Sequence, residues 1–182
     1  MNNLNINIIN FYTDGALDRI DLTGGVSWVK IDKSADIEES HFNMKIIGEK
    51  SSTRLEILAI IMALLVVPEN FIVNIYTDSQ AAVLKWNRLQ SKIVNMSERK
   101  MLDENDIYLW KWINKFIGDN NITMNLFKVK AHDKNKWNDR ADELTVKVKI
   151  SKENNHSSTV KILELQMDDY FIWKQYQLKG NI

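Results

Sequence analysis

Phe11-Tyr12-Thr13-Asp14-Gly15-Ala16 decides how this chain reads. An apolar run from Leu4 to Tyr12 leads into a carboxylate and then a glycine. That pattern predicts a central strand delivering Asp14 at its C-terminal end, where the chain turns. A second segment, Phe71-Ile72-Val73-Asn74-Ile75-Tyr76-Thr77-Asp78-Ser79, repeats the plan of aromatic, Thr, Asp, small residue. Two carboxylates at the ends of neighbouring strands repel each other. Something positive must lie between them, and a divalent metal is the usual answer.

Outward from this pair, the chain reads as an α/β domain. Residues 4–13 form the first predicted strand, with a loop from Leu17 to Thr23. Gly24-Gly25 opens a second strand that runs to Ile31, and an acidic turn leads to a third, His41 to Ile47. Short polar connections make these three antiparallel neighbours. Ser51-Ser52-Thr53 reads as a helix start, with Thr53 and Glu56 at capping-box spacing. Leu55, Leu58, Ala59, Met62, Leu65 and Val66 recur with helical period until Pro68. The apolar stretch 71–77 is the fourth strand. A strand–helix–strand order implies a right-handed crossover and a parallel pair.

A further helix starts at Ser79, followed by a polar excursion over 88–105 with a short helix inside it. Ile107 to Ile117 is a predicted helix that Gly118 stops. Ile122 to Val129 alternates as a fifth strand, and Asp139 to Ile150 reads as the last helix. Residues 1–150 thus form one domain, with a polar linker over 151–159 and a C-terminal extension over 160–182. The part 160–178 is amphipathic and aromatic, with Phe171, Trp173 and Tyr176, and is expected to pack on the domain or to begin a neighbouring one.

Composition narrows the options. Hydrophobic residues make up 45% of 182, which argues against disorder. There are no cysteines, so disulfide frameworks and thiolate metal sites are excluded. Lys+Arg and Asp+Glu balance at 24 each, so a nucleic-acid partner would need a local basic patch. No run has the length of a membrane span, and the N-terminus lacks a secretory pattern. The expectation is an intracellular protein, cytoplasmic or nuclear, with no membrane partner.

Four acidic residues stand at matched places: Asp14 and Asp78 at strand ends, Glu56 one turn into the first helix, and Asp142 near the start of the last. A parallel strand pair with helices starting from the same edge would gather them. Such oxygen ligands suit Mg2+ or Mn2+ and not zinc. Two such ions can activate a water and stabilise the leaving oxygen of a phosphodiester.

At these residues the chain resembles ribonuclease H type 1. The motifs, in order, are Tyr-Thr-Asp14-Gly15-Ala; Ser-Ser52-Thr53-Arg54-Leu-Glu56-Ile-Leu-Ala; Tyr-Thr-Asp78-Ser-Gln80; and Val-Lys-Ala-His132, ten residues before Asp142 in Asn138-Asp139-Arg140-Ala141-Asp142. The likeness spans roughly residues 4–150 and looks most like the ribonuclease H domains of non-LTR retrotransposons. It implies a five-stranded mixed sheet flanked by helices, and cleavage of the RNA strand of RNA–DNA hybrids. It implies Asp14, Glu56, Asp78 and Asp142 as ligands of two Mg2+ ions, with Mn2+ as a substitute. His132 would serve product release or proton transfer. Gly15, Ser52, Thr53 and Gln80 would contact the hybrid, with Asn138 and Arg140 supporting the site from behind. The resemblance also suggests a monomer or a part of a reverse-transcriptase polyprotein. The chain departs from the family in the loop Leu17 to Gly25, which is acidic and less glycine-rich, and at Ala131, where a glycine is usual.

Plainer readings stand beside these. A lone strand-end Asp more often caps a turn, Glu56 could serve only a capping box, and Asp142 with Asp139 could complement a helix dipole. Lys85, Arg88, Lys92, Arg99 and Lys100 with Trp86 could grip a phosphate backbone or form a solvated helix face. Trp110, Trp112 and Phe116 read as core. Two rival functions remain: a non-cleaving hybrid-binding module derived from a mobile element, and a transposase or integrase. The latter place their third carboxylate as Glu in a late helix, whereas here Glu comes second.

Overall fold

A computed structural model of the chain describes residues 7–130 and 135–150. Residues 4–6 of the expected first strand, His132 and its neighbours 131–134, the linker 151–159 and the extension 160–182 lie outside the described residues. Five strands form one sheet: β1 (Ile8–Asp18), β2 (Thr23–Asp32), β3 (Ile37–Ile47), β4 (Ile72–Thr77) and β5 (Thr123–Lys128). The helices are α1 (Ser52–Leu64), α2 (Gln80–Leu89), α3 (Glu98–Leu102), α4 (Ile107–Asp119) and α5 (Lys136–Ile150), with a 3-10 turn over Ile93–Asn95. The strand order is β3-β2-β1-β4-β5. β1, β2 and β3 pair antiparallel, and β1–β4 and β4–β5 pair parallel, as the sequence pattern predicts.

The expected end of the first strand needs correction. β1 does not turn at Asp14 but continues to Asp18, and Asp14 lies opposite Ser27. The reason is that β1 has two partners of unequal length. Its parallel pairing with β4 ends at Thr13 opposite Thr77, while its antiparallel ladder with β2 runs on to Asp18. Asp14 therefore stands where the sheet splits, and β4 departs toward Asp78.

Three helix boundaries differ as well. Ser51, not Thr53, caps α1, its hydroxyl accepting from the Arg54 N–H at 3.2 Å. Glu56 lies a further turn in and forms no capping box. α4 passes through Gly118 and ends at Asp119, with Asn120 as its cap. α5 begins at Lys136 because the Asn135 carboxamide accepts from the N–H groups of Trp137 and Asn138 at 3.2 and 3.3 Å.

α1 lies over β1 and β2 on one face of the sheet, with α2 and α4 against it, and α5 lies over β1, β2 and β3 on the other. Beyond its polar, exposed first turn, α1 is apolar nearly all round, with Leu55, Ile57, Leu58, Ala59, Ile60, Ile61, Ala63 and Leu64 all buried. That stretch is a core element. Each of its fully buried Leu or Ile side chains contributes about 1.5–3 kcal/mol over an exposed one. Trp86 of α2 and Trp110 of α4 close this layer as stacked rings 6.0 Å apart. The second face holds a smaller cluster of Tyr12, Val29, Ile31, Ala141 and Leu144.

The glycine pair at the start of β2 makes both approaches possible. A Cβ on Gly24 would lie 2.5 Å from the Leu55 side chain of α1. A Cβ on Gly25 would lie 2.5 Å from the Thr145 carbonyl oxygen of α5. Consecutive strand residues point to opposite faces, so the pair admits one helix on each side. Gly25→Ala meets main chain that cannot yield, and a loss of about 1–3 kcal/mol is expected in denaturant unfolding. Gly118→Ala meets nothing within 4 Å and should gain about 0.5–1 kcal/mol through helix propensity.

Candidate active site

Three carboxylates from three elements meet where the sheet splits. Asp14 comes from β1, Glu56 from the second turn of α1, and Asp78 from the residue just after β4. Each offers one oxygen within 4.8 Å of the others. Gly15 makes this possible, since its absent side chain lets α1 close on β1. A Cβ there would lie 2.4 Å from the Leu55 carbonyl carbon and 2.5 Å from the Glu56 nitrogen. Asp142 of α5 is half-buried and does not join the set within that distance. It still faces Asp14 closely enough for its charge to disturb that carboxyl.

The electrostatics are those of crowded anions out of water. Burial pushes Asp14 from 3.8 up to about 6, and the charges of Asp142 and Asp78 push the same way, against the Thr145 hydroxyl and the Gly15 N–H. Burial also raises Glu56 well above the usual carboxylate range, with Asp14 and Asp78 adding to it. Asp14 Oδ2 and Glu56 Oε2 are buried without a hydrogen-bond partner among the described residues. An orphaned buried carboxylate oxygen is costly unless a cation supplies the missing partner. The donors are all hard oxygens, so the set fits Mg2+ or Mn2+ chemistry.

Other predicted site residues fall as follows. Ser52 and Thr53 are exposed in the first turn of α1, and Gln80 is exposed as the first residue of α2. Gly15 is buried under α1. Asn138 is buried in the first turn of α5. Arg140 is engaged elsewhere on that helix, its Nε 3.1 Å from Glu38 and its Nη1 3.0 Å from Glu143. The excursion differs from the phosphate-gripping expectation at three positions. Lys85 and Arg88 both converge on Glu104, which they hold down at about 2, and Trp86 is core. Lys92, Arg99 and Lys100 are exposed.

Sequence reasoning missed two supports. The first is a knot of buried hydroxyls beneath Asp14. Ser27 Oγ donates to the Ala141 carbonyl at 2.8 Å, and Thr145 Oγ1 lies 2.8 Å from Ser27 Oγ and 3.4 Å from the Asp14 carbonyl. Thr145 sits one turn beyond Asp142, so helical spacing offered a signal. The second is Arg54, which reads as a motif residue but binds inward. Its Nε donates to Asp106 at 2.8 Å and its Nη1 reaches Glu49 at 3.3 Å. Asp106 is 52 residues away, so no local pattern announces that contact, whereas Glu49 is only five residues before Arg54.

A mixed five-stranded sheet carries three clustered carboxylates, Asp14 buried and Glu56 and Asp78 half-buried, where two parallel strands diverge. The family model for RNase H matches residues 7–150, and the chain belongs to that family. It is 29% identical to a ribonuclease H of Acetivibrio thermocellus over 75% of this chain and 90% of the relative. It is 33% identical to one of Prosthecochloris aestuarii over 73% and 89%, and 31% identical to one of Desulforamulus reducens over 79% and 89%. Among solved structures, the foamy viral protease-reverse transcriptase in complex with dsDNA shares the fold. The TM-score is 0.60 at 22% identity, covering 78% of this chain and 94% of that one. The protein is therefore a ribonuclease H enzyme, of a family that uses divalent metal.

A pH-dependent stability follows from the crowded carboxyls. In EDTA the folded protein keeps the Asp14 proton up to about pH 6, while the unfolded chain releases it near 3.8. The folded state holds the extra proton across that interval, so stability falls as pH rises through it. Asp14→Asn should melt higher than the parent at about pH 7.5 by roughly 2–3 kcal/mol, with the gain vanishing near pH 4. Equal melting of the two proteins at both pH values would contradict this burial.

Proposed function

We propose that the chain cleaves the RNA strand of RNA–DNA hybrids endonucleolytically, leaving 5′-phosphate and 3′-hydroxyl ends, with two Mg2+ ions for which Mn2+ can substitute. The observation that carries this reading is the convergence of Asp14, Glu56 and Asp78 within 4.8 Å in a chain of the RNase H family. Asp14, Glu56, Asp78 and Asp142 would hold the ions. When bound, the ions would polarise the phosphodiester, lower the pKa of a nearby water and stabilise the leaving oxygen.

The protein's own groups set the conditions for that chemistry. Burial of Asp14 and Glu56 keeps the local dielectric low, which strengthens every charge interaction at the scissile phosphate. The Ser27–Thr145–Ala141 knot ties α5, and with it Asp142, to β2 and to the Asp14 carbonyl of β1. Ser52, Thr53 and Gln80 stand on two helix N-termini, where unpaired N–H groups favour a phosphate backbone. Hydroxyl and amide side chains there can read the 2′-hydroxyls that distinguish RNA from DNA across the minor groove. Arg140 and Asn138 would act by orienting α5, and His132 by easing product release or moving a proton.

The test is cleavage of matched RNA–DNA, RNA–RNA and DNA–DNA duplexes with and without EDTA. Hybrid alone should be cut, and only with the metal present. Asp14→Asn should lower the rate at least about a thousandfold, the equivalent of several kcal/mol, with an unchanged circular dichroism spectrum. Hybrid binding without turnover in Mg2+ or Mn2+ would overturn the proposal.

A further inference from the structure

The parallel pair β4–β5 has one face covered and one open. Val73, Ile75, Met124 and Leu126 point into the main core beneath α1, α2 and α4. The alternate residues form three cross-strand rows on the other face. Asn10, Asn74 and Asn125 pair by register, and their carboxamides bond in a chain with 3.0 Å links. Tyr12, Tyr76 and Phe127 stack with centroids 4.9 and 5.2 Å apart. α5 buries Tyr12 at one end of that stack, yet Phe127 at the other end is 43% exposed. Ile8, in the third row with Ile72 and Thr123, is 52% exposed.

Parallel strands are normally covered on both faces, because their connections put helices there. Here α5 lies over β1, β2 and β3, Tyr76 of β4 is partly buried at its edge, and Phe127 and Thr123 of β5 stand exposed beyond it. Cations border the bare area. Lys33 lies over the Tyr76 ring at 4.2 Å, and Lys128 Nζ donates to the Val129 carbonyl at 2.6 Å and to that of Asp78.

We propose that the chain's own segment 160–178 docks on this face, laying Leu165, Phe171 and Trp173 over the Asn125–Phe127 side of the sheet. Three observations select this occupant. The segment follows α5, which already lies on the same side of the sheet, so no crossing to the other face is needed. The nine residues 151–159 can span about 30 Å, whereas reaching β5 from β1 takes two strand spacings, about 10 Å. Third, 160–178 mixes aromatic and aliphatic residues with Glu164, Asp168 and Asp169 against Lys161 and Lys174, an apolar segment with a small acidic excess that suits a face of exposed rings edged by Lys33 and Lys128.

The absence of native cysteines makes the test direct. In the full-length chain, one cysteine is placed at Asn125 and a second is moved one residue at a time from Leu165 to Tyr176. A control series pairs the same positions with a cysteine at Leu84, exposed on α2. Intramolecular disulfides under mild oxidation are expected for a periodic subset of the Asn125 series, at least tenfold faster than for any Leu84 pair. Phe127→Asp should abolish that preference without lowering hybrid cleavage. Equal rates in both series, or disulfides only between molecules, would overturn the proposal. So would protection of the Asn125 cysteine from a thiol reagent by added hybrid alone, which would make the face a nucleic-acid platform. The disulfide and thiol-protection readouts do not depend on whether the enzyme turns over.

Discussion

Three carboxylates held within 4.8 Å of one another, two of them with oxygens shut away from water, are the constraint around which this fold is arranged. At an effective dielectric of about 20, each ionised pair at that separation repels by about 3–4 kcal/mol. No side chain among the described residues relieves Asp14 Oδ2 or Glu56 Oε2 by a hydrogen bond. The arrangement persists because elements on both sides hold it shut, and burial raises the proton affinity of Asp14 and Glu56.

The closure is built from small residues. Gly15 admits the main chain of α1 on one side of β1–β2, Gly24 admits Leu55 beside it, and Gly25 admits α5 on the other side. An ordinary side chain at Gly15 or Gly25 would meet helix main chain and drive α1 or α5 outward, taking Glu56 or Asp142 with it. The departure of β4 from β1 at Thr13–Thr77 then opens the gap in which the acidic groups meet. The close approach of the helices and the splitting of the sheet thus act together. One brings the ligands inward, and the other leaves room for what binds them.

Much of this was legible in the chain. The twin Thr-Asp segments, the glycine after Asp14 and the strand–helix–strand order suffice for the sheet and for three of its acidic residues. What misled was local chemistry that competes for the same residues. Thr53 and Glu56 have capping-box spacing, but Ser51 takes the cap and leaves Glu56 to the site. Asp14 reads as a strand end because turn residues follow it, yet the hairpin with β2 extends the ladder four residues further. Lys85 and Arg88 read as a solvent-facing grip, and only the fold could reveal that Glu104 reaches back to them. Thr145 and Asp106 act across distances that no window of sequence contains.

Arg54 carries a consequence of its own. It ties the first turn of α1 to Asp106, a residue with φ of 56° at the junction of α3 and α4, and to the buried Glu49. The excursion that follows α2 is thereby anchored, through one guanidinium, to the helix that carries Glu56. Lineages that remodel that excursion must keep an acid at this corner or surrender the arginine with it. Positions 49, 54 and 106 should therefore drift as a trio among relatives, while the lysines on the outer surface of the same excursion vary independently.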